Sequence, residues 1–176
     1  MKVSPKQTNR GFSLIELLIV VAIILIIAAI AIPSLLRARI AANESSAASC
    51  LRTIKTAEYA YYSAYPTVGY AVQLADLGGA SPCVASPITA CLIDTSLSTA
   101  IVGTTGKNGF VFAATGINGG SATNGDFVAG AAPVTLNKTG IKNFCSSSDG
   151  ILRSNPGIGG NPVTTVPACL AYPVAQ

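Results

Sequence analysis

The sequence predicts an α+β chain in which one long N-terminal helix precedes a head of short strands. Three observations carry that prediction. Sixteen consecutive apolar residues run from Leu17 to Ile32. A helical pattern then continues to Tyr65 with neither Gly nor Pro after Pro33. Beyond that point the composition switches: sixteen of the seventeen Gly and eight of the ten Pro lie between Pro66 and the C-terminus, among short alternating apolar runs.

Extended back to Phe12, the apolar stretch has twenty-one positions, of which only Ser13 and Glu16 are polar. At about 1.5 Å per residue it spans roughly 31 Å, one hydrocarbon core. A buried helix of a soluble protein is rarely apolar all round over such a length, so this is read as a membrane segment. The preceding MKVSPKQTNR is short and basic, with Lys2, Lys6 and Arg10, which keeps it in the cytoplasm and sends the rest outward. Arg37 and Arg39 compete more weakly from the other side. A secretory signal cut after Ala29 or Ala31 is the alternative; its apolar core would be only ~7–15 residues and would carry no carboxylate. Glu16 is the anomaly. A charged carboxylate within the bilayer costs on the order of 2.5–3.5 kcal/mol, so it is retained only with a partner or near the headgroups.

From Leu36 onward, Ile40, Ala47, Leu51, Ile54, Ala57 and Tyr61 recur at helical spacing and form an amphipathic stripe. Arg37, Arg39, Glu44, Arg52, Lys55 and Glu58 fall mainly off it, and Glu44 and Glu58 are expected in exposed ion pairs. The result is one helix from about Phe12 to Tyr65, bent at Pro33 and ended by Pro66 and Gly69. At roughly 80 Å it is too long for a domain of this size, so its first half is expected to project. Tyr59, Tyr61, Tyr62, Tyr65 and Tyr70 cluster at its end, read as apolar bodies with polar tips at a helix–sheet junction rather than as an electron path.

In the head, Gly109–Thr115, Asp126–Gly130, Gly140–Cys145 and Gly150–Ser154 read as short strands, with SSSDG as the connection of the last hairpin. Leu74–Leu77 is a short helical turn, and Ser154–Gln176 is expected to be irregular and held by Cys169. There is no internal repeat.

Composition excludes several function classes. The 176 residues leave little room for two enzyme domains. The chain has no His, which removes the commonest general base and zinc ligand. From Phe12 onward eight basic residues face seven acidic ones, which is no footprint for nucleic acid. Gly103–Gly109 (GTTGKNG) lacks the GK-[ST] spacing and the strand–helix context of a phosphate loop. Calcium wants ~6–8 oxygens and the acids are few, so no metal and no cofactor is expected. The five cysteines form no CxxC and point to disulfides in an oxidising compartment. Cys83 and Cys91 flank a short loop suited to a local bridge. Cys50, on the helix, is the odd one, either free and buried or part of a rearranged pairing.

The stretch Arg10-Gly11-Phe12-Ser13-Leu14-Ile15-Glu16, running straight into the apolar span, resembles the class III leader and N-terminus of type IV pilins and type II secretion pseudopilins. Basic leader, Gly-Phe, a placed Glu and an unbroken apolar helix coincide over about the first forty residues, and Pro33 also matches a family position. The resemblance implies cleavage by a prepilin peptidase between Gly11 and Phe12, N-methylation of Phe12, and a polymerisation role for Glu16 with the Phe12 amine. A glycine at the cut lets a peptidase approach the backbone closely. A neighbouring subunit shifted along the bundle axis would bring its amine to Glu16, neutralise both charges and set the stagger. Ala22, Ala28, Ala29 and Ala31 permit close helix approach.

The resemblance further implies the pilin fold: the second half of the helix under an antiparallel sheet of three or four strands. The loops would be disulfide-stapled, with Cys145 and Cys169 closing the C-terminal segment, and a calcium site such as pseudopilins can carry in their C-terminal loops would have Asp126 and Asp149 as candidates, though the acids are too few to expect one. Each staple would add ~2–4 kcal/mol. The expected organisation is a cytoplasmic leader over 1–11, a membrane and polymerisation helix over 12–38 and a head over 39–176. The expected function is a structural, non-enzymatic subunit of a helical homo-oligomeric fibre. Its partners would be the peptidase, an inner-membrane assembly platform and minor pilins. It would sit first as a single-pass protein of the bacterial inner membrane, then in an extracellular pilus. The alternatives are a periplasm-spanning pseudopilus acting as a piston and, from a different class, a membrane-anchored secreted enzyme. Adhesion, motility, DNA uptake and export are not separated by the sequence.

Overall fold

The computed structural model describes residues 12–118, 123–157 and 159–175. The chain divides into two compact units, one ending at Arg37 and one beginning at Ala38. Helix α1, Leu14–Ala64, belongs to both and continues through Pro33 without interruption.

In the first unit every large apolar side chain of α1 from Leu14 to Leu36 is exposed. No head residue is needed to explain this helix, because its sixteen-residue apolar run contains no Gly and no break. Its surface, however, has no counterpart within the unit.

The second unit is the head. Its part of α1 buries Ile40, Ala47, Leu51, Ile54, Ala57 and Tyr61, the stripe expected from spacing. Glu58 is a correction: it is buried with them, not exposed in an ion pair. The four-residue step from Ile54 and the three-residue step to Tyr61 place it on the same face. Glu44 also departs from expectation, since its Oε1 accepts from the amides of Ile141 (2.8 Å) and Lys142 (3.1 Å).

Four strands, β1 (Phe110–Ile117), β2 (Asp126–Pro133), β3 (Lys142–Ser147) and β4 (Leu152–Pro156), form one antiparallel sheet in sequence order. Phe112 pairs with Ala131, Gly130 with Cys145, and Phe144 with Ser154. Phe110, Phe112, Phe127, Ala129, Ala131 and Phe144 pack on α1 to make the main core. The other face carries Val128, Cys145 and Cys169 with Val163, Val166 and Tyr172. The sheet is therefore covered on both sides, which explains why β2 reads as an unbroken buried run after its first residue.

Several boundaries move. β2 extends three residues past Gly130, since Ala131 and Ala132 are small enough to be buried between layers and Pro133 closes its end. β3 begins at Lys142, because Gly140 and Ile141 belong to the preceding turn. Ser146 and Ser147 are strand residues, leaving a tighter connection in which Gly150 takes φ +74°. The segment after Ser154 is not irregular throughout: β4 runs to Pro156, and α3 spans Val166–Leu170 with Pro167 in its first turn. A short helix α2, Thr95–Ser98, capped by Asp94 accepting from the Leu97 amide, was not foreseen. Leu74–Leu77 forms a 3₁₀ turn.

The C-terminal segment continues the sheet. Ser154 donates to Pro173 O (2.9 Å) and Ala175 to Leu152 O (3.0 Å), so the outer edge of β4 is paired. Where this segment crosses the sheet, a Cβ on Gly130 would lie 2.3 Å from Val163 O, so only glycine permits the approach.

Candidate functional site

The start of α1 is built from two residues of opposite habit. Ser13 stands just before the first helical residue, and Glu16 lies in the first turn. The amide of Ser13 donates to Glu16 Oε2 at 2.9 Å. This satisfies one of the unpaired N–H groups of a helix start and places negative charge where the helix dipole favours it. The sequence signal for this bond was Ser-x-x-Glu, half of a capping box, which the reading of Glu16 as a membrane anomaly passed over. Phe12 adjoins it and is 78% exposed. Gly11, the other residue of the expected cut, lies outside the described residues, as does the basic leader.

Glu16 is the one ionisable side chain between Phe12 and Arg37, on a helix surface that is otherwise apolar. The geometry offers a carboxylate with Oε2 engaged by its own chain, one residue from Phe12. The helix is long and apolar enough to cross a membrane.

Residues 6–32 match the model of the prokaryotic N-terminal methylation motif. The chain is also 49% identical over 55 residues to the type IV major pilin protein PilA of Myxococcus xanthus. These similarities support the type IV pilin family. The match to the Myxococcus pilin covers 31% of this chain and only 25% of that protein, so the chain spans about a quarter of the length of the curated relative. No solved structure matches. The pilin motif includes Gly11, Phe12, Glu16 and the apolar run as far as Ile32. The head carries its pilin likeness in arrangement: a long helix against a four-stranded antiparallel sheet, with two disulfides. Motif and apolar helix together fit an inner-membrane-anchored pilin.

In the head, Cys83 is joined to Cys91 and Cys145 to Cys169. The first bridge closes a loop whose far end hydrogen-bonds back to the 3₁₀ turn, through Ala90 to Asp76 O and Leu92 to Leu77 O. The second ties α3 to β3. Cys50 is free and half-buried, and burial pushes its thiol above the ordinary value, the inert rather than the reactive direction. Asp149 is bound by Arg153 at 2.6 Å and held down at about 2, with a further bond from the Ile151 amide. It serves the β3–β4 turn, and it is not brought together with Asp126. Among the described residues no three His, Cys, Asp or Glu come together as a metal site.

The tyrosines sort by contact. Tyr61 Oη donates to Pro87 O at 2.6 Å and Tyr59 Oη to Ser148 O at 2.8 Å, so each ties α1 to a head loop. Tyr62, Tyr70 and Phe127 stack with centroids 4.8 Å apart at each step. A shallow groove of about 490 Å³ along α1 has Arg52 as its one ionisable lining residue.

Proposed function

We propose that this chain is a non-enzymatic structural subunit of a type IV pilus, cut between Gly11 and Phe12, methylated on the Phe12 amine and polymerised through its N-terminal helix into a helical fibre. The observation that carries the proposal is the bare apolar surface of α1 from Leu14 to Leu36, interrupted by one carboxylate and coinciding with the methylation motif. A surface of this size does not stay in water. A bilayer covers it in the unassembled subunit; copies of the same helix cover it in the fibre. Transfer from lipid to a helix bundle gains little from burial alone, because lipid tails are as apolar as leucine. Pairing of charges supplies the preference. Glu16 Oε2 accepts from its own Ser13 amide, and Oε1 takes the cationic Phe12 amine of a neighbour. The pair relieves the cost of a carboxylate in an apolar environment, and its position fixes the axial step between subunits.

The partners are copies of this chain, a prepilin peptidase, an inner-membrane assembly platform and minor pilins. The processed head stands outside the membrane, where its two disulfides persist. Similarity to a protein described as a major pilin favours a pilus over a pseudopilus.

The test is peptide mass spectrometry of the protein from membranes and from the sheared cell-surface fraction. The expected N-terminal peptide begins with N-methyl Phe12 and is abundant in the sheared fraction. Glu16→Ala should leave that processing intact and empty the sheared fraction at least tenfold. A terminus near Pro33 would overturn the reading in favour of a secreted domain. Processed protein confined to membranes, with normal secretion machinery present, would favour the pseudopilus.

A further inference from the structure

We propose that Glu58 is a proton-controlled latch that holds the loop from Pro66 to Leu77 onto helix α1. The inference concerns the head alone and does not depend on fibre assembly.

Glu58 is fully buried, near the C-terminal end of the core stripe of α1, between Ala57 and Tyr61. Its Oε2 accepts from the amide of Ala71 at 2.9 Å, and Ala71 is itself fully buried. Its Oε1 is buried with no hydrogen-bond partner. An ionised carboxylate needs several donors or a cation when taken out of water. This one has a single backbone N–H. A protonated carboxyl needs much less: one oxygen still accepts from Ala71, and the charge is gone.

The groups facing Glu58 sharpen the point. Asp76, in the 3₁₀ turn, adds negative charge. Tyr61 on α1 and Tyr70 in the loop are the other titratable groups acting with it, and Asp126 at the start of β2 acts on Tyr70. Lys55, one turn earlier on α1, donates to Gly150 O instead, and no basic side chain bonds the Glu58 carboxyl among the described residues. Burial first, then Asp76, push the carboxyl up to about 7, against the one stabilising bond from Ala71.

The far end of the segment is anchored by Ala90 donating to Asp76 O and by Leu92 and Ile93 donating to Leu77 O; around Ala71 the other backbone ties run to Asn124. Tyr70 donates to Asn124 O, Asn124 donates through its side chain to Tyr70 O, and Asn124 N donates to Val68 O. Glu58 supplies the side-chain hydrogen bond from the helix to this loop, beside the ring contacts of Tyr70 with Tyr59 and Tyr62. Below the ordinary carboxylate range the neutral carboxyl keeps Ala71 docked and the core closed. As pH rises from 4.5 toward 7 the solvated carboxylate of an opened segment gains on the closed form, so water reaches Oε1 by loosening the segment around Ala71; above 7, where the closed form ionises too, the balance stops changing.

The experiment is amide hydrogen exchange on the full-length protein in detergent micelles from pH 5.5 to 8.5, corrected for intrinsic exchange. It compares wild type with Glu58→Gln, which retains an acceptor for Ala71 and carries no charge. Protection of the Tyr70–Gln73 amides in wild type should fall at least tenfold between pH 5.5 and 7 and level off above it, while β2 stays protected. In Glu58→Gln the same amides should show no step. A flat wild-type profile, or an equal step in the variant, overturns the proposal. Should the variant fail to fold, carbon-13 titration of the wild-type Glu58 carboxyl decides: a midpoint near 7 upholds the latch, and one below 5 overturns it.

Discussion

At Gly130 a single missing methyl decides how the C-terminal segment lies on the sheet. Its Cβ would meet Val163 O at 2.3 Å and Val163 N at 2.6 Å, backbone atoms that cannot rotate away. Gly130→Ala is therefore expected to cost about 1–3 kcal/mol, as overpacking of a filled interior does, read by urea unfolding. Two carboxyls give the head opposite responses to pH. Asp149, held down at about 2 by Arg153, contributes stability that is present above its ordinary value of 3.8 and lost as pH falls toward 2. Glu58, raised to about 7, contributes stability that is full below its ordinary value of 4.5 and lost as pH rises to 7. The loss on that side is about 3 kcal/mol for a shift of this size. The head should accordingly be most stable near pH 4 to 5, and Glu58→Gln should flatten the neutral limb; unfolding free energies across a pH series check both. Neither role was legible in the sequence. Spacing placed Glu58 within one step of the core stripe, but its charge argued it outward. What overrode the charge was the loop at Ala71, thirteen residues on from Glu58 and past the break at Pro66 and Gly69, whose position no local pattern specifies.

Among the elements, α1 was legible because its signal is repeated: each stripe residue from Ile40 to Tyr61 supports the same periodicity. The strands were legible in number and order and less so at their ends. Ala129, Gly130, Ala131 and Ala132 carry almost no local preference for a strand, and they become one only because α1 lies on one face and α3 on the other. The two disulfides span different lengths of chain. Cys145–Cys169 closes a separation of 24 residues and Cys83–Cys91 one of 8. On the loop-entropy argument the longer bridge should stabilise by about 1 kcal/mol more. Paired Cys→Ser variants of each bridge, compared in urea, test the order; reversal would mean that local packing around Cys83 outweighs chain entropy. Tyr61→Phe, which removes the bond to Pro87 O while keeping the ring, should cost about 0.5–1.5 kcal/mol by the same measurement.

For the whole molecule, the division at Arg37 separates a unit whose large apolar side chains lie in the open from one with a closed core. A fragment beginning at Ala38 is expected to remain monomeric and soluble without detergent and to keep both disulfides, while the full chain requires detergent; sedimentation and non-reducing mass analysis check this. The likeness of residues 6–32 to the N-terminal methylation motif was legible from Gly11, Phe12, Glu16 and the apolar run because each is extreme in its context. The capping bond from Ser13 to Glu16 was hidden by that same extremity, which drew the carboxylate's meaning toward the membrane and away from the helix start. The pairing of residues 173–175 with β4 has a further consequence, one of timing. Cys169 and residues 173–175 follow all four strands in the chain, so the outer edge of β4 and the thiol of Cys145 wait longer for their partners than Cys83, whose Cys91 comes eight residues later. Over that interval Cys145 shares the chain with a second unpaired thiol, that of the half-buried Cys50 on α1.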